Sequence, residues 1–282
     1  LPAESGRGDP SPPPPLAVMR IPLAFLLLAV ASFVQAGQDC RSEVLAPDRQ
    51  AEAAAQALAV IDRLAADDAP VALVARVGTD LSAHGLRYSH VGFVLRDAED
   101  GPWTVIHLLN TCGTDASGLY ADGLVDYYAD ARVSLDTAIV WLDDELAAAL
   151  VQTLQRHAAA RLHEPNYNVI AHPHSRRFQN STAWVLASLA SAMQHDALPD
   201  RVAAQDWAEA SGHRPTRLHI AYTKRIAGGL FSANAHFTDH PLAARLSGEY
   251  EVVTVDSIFD WLARGGHVRR REDLRRPGLA TR

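Results

Sequence analysis

Three residues of this chain are of the right kinds to move a proton and carry an acyl group: His90, His107 and Ser181. His90 stands in "YSHVGFVL" and His107 in "WTVIHLLN", each among apolar neighbours. On two paired strands such side chains can project from one face, where a second imidazole orients the first as a general base. A histidine in a core strand can equally be a satisfied buried ring. Ser181 opens an apolar run in "FQNSTAWVLA". At a helix start a nucleophile meets free N–H groups and the positive end of the helix dipole, which favour negative charge and could steady an oxyanion. Asn and Ser are also favoured helix caps, so the same stretch reads as an ordinary N-terminus.

Those residues need a hairpin and a helix to hold them. Tyr88 to Arg96 and Trp103 to Leu109 are β-branched and aromatic, with turn-forming Asp97 to Pro102 between them, the strongest hairpin signal in the chain. Ser181 to about Met193 reads as a helix with Trp184, Val185 and Leu189 on its apolar face. Around these, helices are expected over Asp48–Asp67, Asp143–Arg161, Arg201–Ala210 and Ser257–Ala263. Further strands are expected over Pro70–Val77, Asp136–Leu142, Arg217–Tyr222 and Tyr250–Val255. The fold class this implies is α+β, a small antiparallel sheet packed against helices.

The chain has 282 residues, 48% hydrophobic and 21% charged, enough for a substantial single core. Its net charge is -7, and 25 of its 26 basic residues are Arg, Lys224 being the exception. An acidic chain without a basic block argues against a nucleic-acid partner. The one locally basic run, Arg264 to Arg276, reads as a solvated end.

Residues 1–18 are Pro-rich and too poor in large apolar groups to fold, and read as an upstream, non-native or disordered segment. Met19-Arg20, the apolar run Ile21 to Val34 and the small residues to Ala36 have the layout of a secretory signal peptide over residues 19–36. A retained anchor is the alternative, although a run this short falls below a membrane span. Residues 37–265 then form one domain and 266–282 a basic tail. Export places the protein in the periplasm or outside the cell, where Cys40 and Cys112 form a plausible disulfide. No glycine-rich phosphate loop, H-E-x-x-H or G-x-S-x-G occurs. His163, His172 and His174 form a histidine-rich stretch, but "AHPH" has no patterned Asp or Cys partner, so neither a metal nor another cofactor is expected.

Two stretches carry a resemblance. "SHVGFVL…WTVIHLLN" followed by "YNVIAHPHSRRFQNSTAWVLA" resembles the circularly permuted papain-like hydrolases and acyltransferases. That group includes the lecithin:retinol acyltransferase group and the permuted relatives of NlpC-type cell-wall peptidases. His90, Gly92 and Phe93 match its first strand, His107 its second, and Asn180, Ser181, Trp184 and Val185 its nucleophile helix. End to end, the mature chain is also similar to a bacterial exported domain family of unassigned function. The resemblance implies Ser181 as nucleophile, His90 as base and His107 as orienting group. Asn180, Tyr88, Asn110 and Tyr167 would stand around a substrate. Two departures matter: the group's nucleophile is Cys where this chain has Ser181, and its frequent Glu is replaced by Thr182 and Ala183. The expected function is hydrolysis or acyl transfer at an amide or ester bond of a small-molecule, lipid or peptide substrate in the cell envelope. The alternative is a non-catalytic binding or structural module.

Overall fold

A computed structural model describes residues 46–129 and 133–275. The signal-like segment and Cys40 lie outside the described residues, and Cys112 is exposed in a turn.

The chain begins with α1 (Pro47–Ala65), amphipathic and started by Pro47 at its first turn. Six strands then build one antiparallel sheet: β1 (Val71–Val77), β2 (His90–Ala98), β3 (Gly101–Asn110), β4 (Ser117–Asp122), β5 (Ser134–Leu142) and β8 (Val268–Leu274). Their order is β4-β3-β2-β1-β5-β8. β1, buried along its whole length, reads as the apolar run "VALVARV", interrupted by Arg76, because both its faces are covered.

Alternation sorts the side chains into two interiors. Leu73 and Ala75 of β1, Val91, Phe93 and Leu95 of β2, Leu108 of β3 and Val140 of β5 join the larger core. That core is completed by α3 (Asp144–Gln155), α4 (Ser181–Met193), α5 (Arg201–Ala210) and α8 (Val255–Arg264). Val74, Val94, Val105, Ile139 and Trp141 point the other way, under α1 and α2 (Leu124–Ala129). The helices of the larger core are well started. Asp143 caps α3, Asp200 caps α5, and Thr254 with Ser257 forms a capping box on α8.

Helix α4 is buried on every side from Ser181 to Ala192, as a helix apolar all round must be. Trp184 fixes it: the indole N–H donates to the Ala159 carbonyl at 2.9 Å and the ring meets Phe93 edge-on at 5.6 Å. A satellite carries β6 (Thr216–His219) paired with β7 (Glu249–Val252), together with α6 (Tyr222–Phe231) and α7 (Leu242–Ser247). It has its own small core of Leu86, Leu218, Tyr250 and Val252.

The α+β class and the antiparallel sheet agree with the sequence reading, with differences in detail. The basic run that reads as a solvated end is instead a strand, β8, paired along β5 from Thr137 to Leu142. The helix expected to reach Arg161 stops at Gln155, and a separate 3-10 turn covers Ala159–Leu162. Tyr222, expected to end a strand, begins α6. Neither β4 nor α2 was expected. Among the described residues no helix is long and apolar enough to cross a membrane.

Candidate functional site

His90 is the first residue of β2 and lies opposite Arg76 of β1. The β2–β3 register, with Phe93 opposite Ile106, brings His107 opposite Gly92. Gly92 is the residue that lets the two rings meet. A Cβ there would stand 2.7 Å from Val105 Cγ1 and 3.0 Å from His107 Cβ, closer than carbon atoms approach. With that space open, the His90 and His107 rings meet edge-on at 5.1 Å, and His90 Nε2 lies 2.9 Å from His107 Nδ1. Asp122, at the end of β4, continues the line: its Oδ2 is 2.9 Å from His107 Nε2.

Bond directions along this line follow from the one group that cannot donate. An ionised carboxylate only accepts, so His107 Nε2 carries the proton that faces Asp122. In a neutral ring His107 Nδ1 is then a lone pair, which must accept from the N–H at His90 Nε2. That leaves the lone pair of His90 on Nδ1, which has no hydrogen-bond partner among the described residues. Asp122, at the head of the line, thus delivers a bare basic nitrogen at its far end.

The surroundings keep it uncharged. His107 is fully buried and His90 only 7% exposed. Tyr127 of α2 covers both rings, with centroids 5.9 Å from His90 and 5.3 Å from His107. Its hydroxyl donates to the Val74 carbonyl at 2.9 Å, and its own carbonyl accepts from Arg76 Nη1 at 2.6 Å. Burial, reinforced by the Arg76 guanidinium and by His107, holds the His90 pKa well below the ordinary histidine value. Asp122 moves down for a different reason: the hydrogen bond from His107 stabilises its carboxylate.

Ser181 stands elsewhere. It is the first residue of α4, and the cap is its neighbour Asn180, whose Oδ1 accepts from Ala183 N at 2.7 Å and from Thr182 Oγ1 at 3.1 Å. Tyr167 lies near the Ser181 hydroxyl, and its phenol is pushed up to about 12 by burial and eased back by that hydroxyl. Helix α4 packs on the Phe93 face, whereas His90 and His107 share their face with Val94 and Val105, beneath Tyr127. No hydrogen bond joins Ser181 to either imidazole among the described residues. The residues singled out from the sequence therefore fall into two groups, His90 with His107 and Ser181 with Asn180 and Tyr167.

Two others are engaged apart from both groups. Tyr88 donates to Asp273 of β8 at 2.7 Å. Asn110 holds its own turn through the Thr114 and Ala116 carbonyls and accepts from Asn234 at 2.8 Å. Of the histidine-rich stretch, His163 meets Ser117 Oγ at 3.0 Å, and His174 is bridged by Asp206 at 2.9 Å and Glu209 at 2.7 Å. Among the described residues no three His, Cys, Asp or Glu side chains are grouped so as to hold a metal ion.

The sequence reading missed Asp122, Arg76 and Tyr127. Arg76 was the legible one, a lone charge inside the apolar run "VALVARV" and therefore in need of a buried partner.

A family model described as an uncharacterized protein conserved in bacteria (DUF2145) matches residues 63–262. The chain belongs to that family. The family match takes in His90, His107, Asp122 and Ser181 and ends before β8. No curated protein and no solved structure matches the chain.

Proposed function

We propose that the protein is an exported hydrolase or acyltransferase of the permuted papain-like class, acting on an amide or ester bond in the cell envelope. The line Asp122–His107–His90 is its acid–base half and Ser181 its nucleophile. The observation that carries this reading is the line Asp122–His107–His90, whose bond directions leave His90 Nδ1 as its bare end. Burying such a line without a use for its free end would only subtract from stability.

The chemistry is that of a Ser–His pair. Ser181 Oγ attacks the carbonyl carbon as its proton passes to His90 Nδ1. The imidazolium formed is steadied through His107 by the Asp122 charge. The proton then goes to the departing amine or alkoxide, leaving an acyl-serine that water or an acceptor alcohol or amine resolves with His90 again as base. The free N–H groups at the start of α4 face the developing oxyanion. Support for an approach of Ser181 to His90 comes from the end of the sheet at which both stand. Asn166, beside Tyr167, bridges to Ala116 at the foot of β4, and β4 pairs with the end of β3 next to the start of β2.

The second reading, a non-catalytic envelope module, draws on a specific observation: Ser181 opens a helix packed on the Phe93 face, whereas both imidazoles lie beneath Tyr127 on the other. One variant separates the two. In Ser181→Cys, a thiol paired with His90 would ionise and react with iodoacetamide at mildly acidic pH, and adding Asp122→Asn would slow it at least tenfold. If the introduced thiol reacts only in the alkaline range of an ordinary cysteine, indifferent to Asp122, the binding module is left standing.

A further inference from the structure

The satellite carries a surface that nothing described so far uses. The three most exposed large apolar side chains among the described residues are Leu246 (75%), Tyr222 (67%) and Leu242 (63%), and Ile226 adds 46%. They form two pairs at the one-turn spacing that puts side chains on one helical face, Tyr222 with Ile226 on α6 and Leu242 with Leu246 on α7. Arg225 joins the helices by donating to the Arg245 carbonyl, and its guanidinium stacks on Tyr222 at 5.3 Å.

Charge marks out the same patch. Arg245 is exposed and Arg225 half-buried beside these apolar groups, and neither makes an ion pair among the described residues. On the neighbouring β6 of the same satellite, by contrast, Arg217 is matched with Glu251. Unpaired cations ringing uncovered apolar side chains, in a chain of net charge -7, form a local reversal of sign.

We propose that this face of α6 and α7 docks on an anionic lipid bilayer, lying in its interfacial plane with Tyr222, Ile226, Leu242 and Leu246 at the acyl boundary and Arg225 and Arg245 among the headgroups. The charge pattern selects this occupant. A second copy meeting the patch through a two-fold axis would bring the Arg225 and Arg245 of one chain against a patch of the same sign. A bilayer carrying phosphodiester groups neutralises them, and Tyr222, apolar in body and polar at its tip, suits the boundary. The inference stands whether or not Ser181 is catalytic.

The test uses the full chain with a local reporter, because the apolar run Ile21 to Val34 could bind vesicles by itself. Tyr222→Trp is mixed with phosphatidylcholine vesicles with and without phosphatidylglycerol, in both cases containing brominated acyl chains that quench only tryptophans in contact with them. The expected result is quenching beyond that of the parent chain with the anionic vesicles, much less with the neutral ones. Leu242→Ser/Leu246→Ser in the same background is expected to weaken the vesicle dependence by about tenfold or more. Absence of added quenching, equal quenching by neutral vesicles, or indifference to the double substitution overturns the proposal. A doubled mass in sedimentation that the double substitution abolishes overturns it too, in favour of a second copy.

Discussion

Phe93 and Val94 are neighbours in β2 and enter interiors of opposite kinds. On the Phe93 side a helix wrapped in apolar contacts closes the core, and the polar groups of that helix answer one another locally: Asn180 caps it and Ser188 Oγ donates to the Trp184 carbonyl at 2.9 Å. On the Val94 side the sheet carries a line of ionisable groups, Arg76, His90 and His107, roofed by Tyr127 and running out to the part-exposed Asp122. One face tolerates substitution according to volume, the other according to hydrogen-bond direction. A sheet has room for both because consecutive residues never share a side.

Breaking each side in turn should show the difference, and the largest effect belongs to the apolar face. Trp184→Ala removes the edge-on contact with Phe93 and the bond to Ala159, and should cost about 3–5 kcal/mol in denaturant unfolding. Loss of histidine signals from the Val94 side at the same denaturant concentration would mean that the two faces melt as one unit.

Acid is next, and acts on both faces. His213, buried between α5 and α8 with its Nε2 3.1 Å from Ser257 Oγ, has its pKa lowered from 6.5 to about 4, first by burial and then by Arg264 and Arg214. Between those values the unfolded chain takes a proton that the folded chain refuses, so stability falls as pH drops from 6.5 and this contribution is exhausted near pH 4. The shift corresponds to about 3 kcal/mol. His213→Gln should flatten that part of the curve, while the His90 contribution, of the same sign and from the other face, should remain.

Gly92→Ala sharpens the comparison from the relay side. The added methyl enters the space between the strands against Val105 and His107, at a cost of about 1–3 kcal/mol. Its specific mark should be in the nitrogen spectrum of the imidazoles. The parent should show His90 protonated at Nε2 and His107 at Nε2, and the variant should lose that fixed pattern. A variant that keeps it would show that the bond direction does not depend on the close approach at Gly92.

Asn180→Ala is the mildest, removing the cap of α4 for about 1 kcal/mol in thermal or denaturant unfolding. Because the cap lies on the Phe93 side, the histidine tautomers should not change.

What was legible in the sequence follows the same division. Both strands of the hairpin, α4 and α5 announce themselves because buried elements show apolar periodicity. β4, "SGLYAD", and β8, "VRRREDL", lie at the two edges of the sheet, where half of the surface is open to water and charge is the normal guard against further pairing. Without an apolar pattern they read as loop and tail, and with β4 went Asp122, the residue that sets the proton direction. One signal was there to be read. His90 and Phe93 are three apart in a strand and so face opposite ways, which places a helix packed on Phe93 across the sheet from His90. A pairing of Ser181 with His90 would therefore have to form around the end of the sheet where β2 begins.

Helix α4 has a consequence in time as well as in space. Enclosed from Ser181 to Ala192, its amides have no local opening that leaves the larger core intact, so their hydrogens should trade with deuterated water only when the whole domain opens. The short α7, exposed along most of its length, should trade almost at once. The exchange clock of α4 therefore reads the global stability of the protein directly, with no denaturant added.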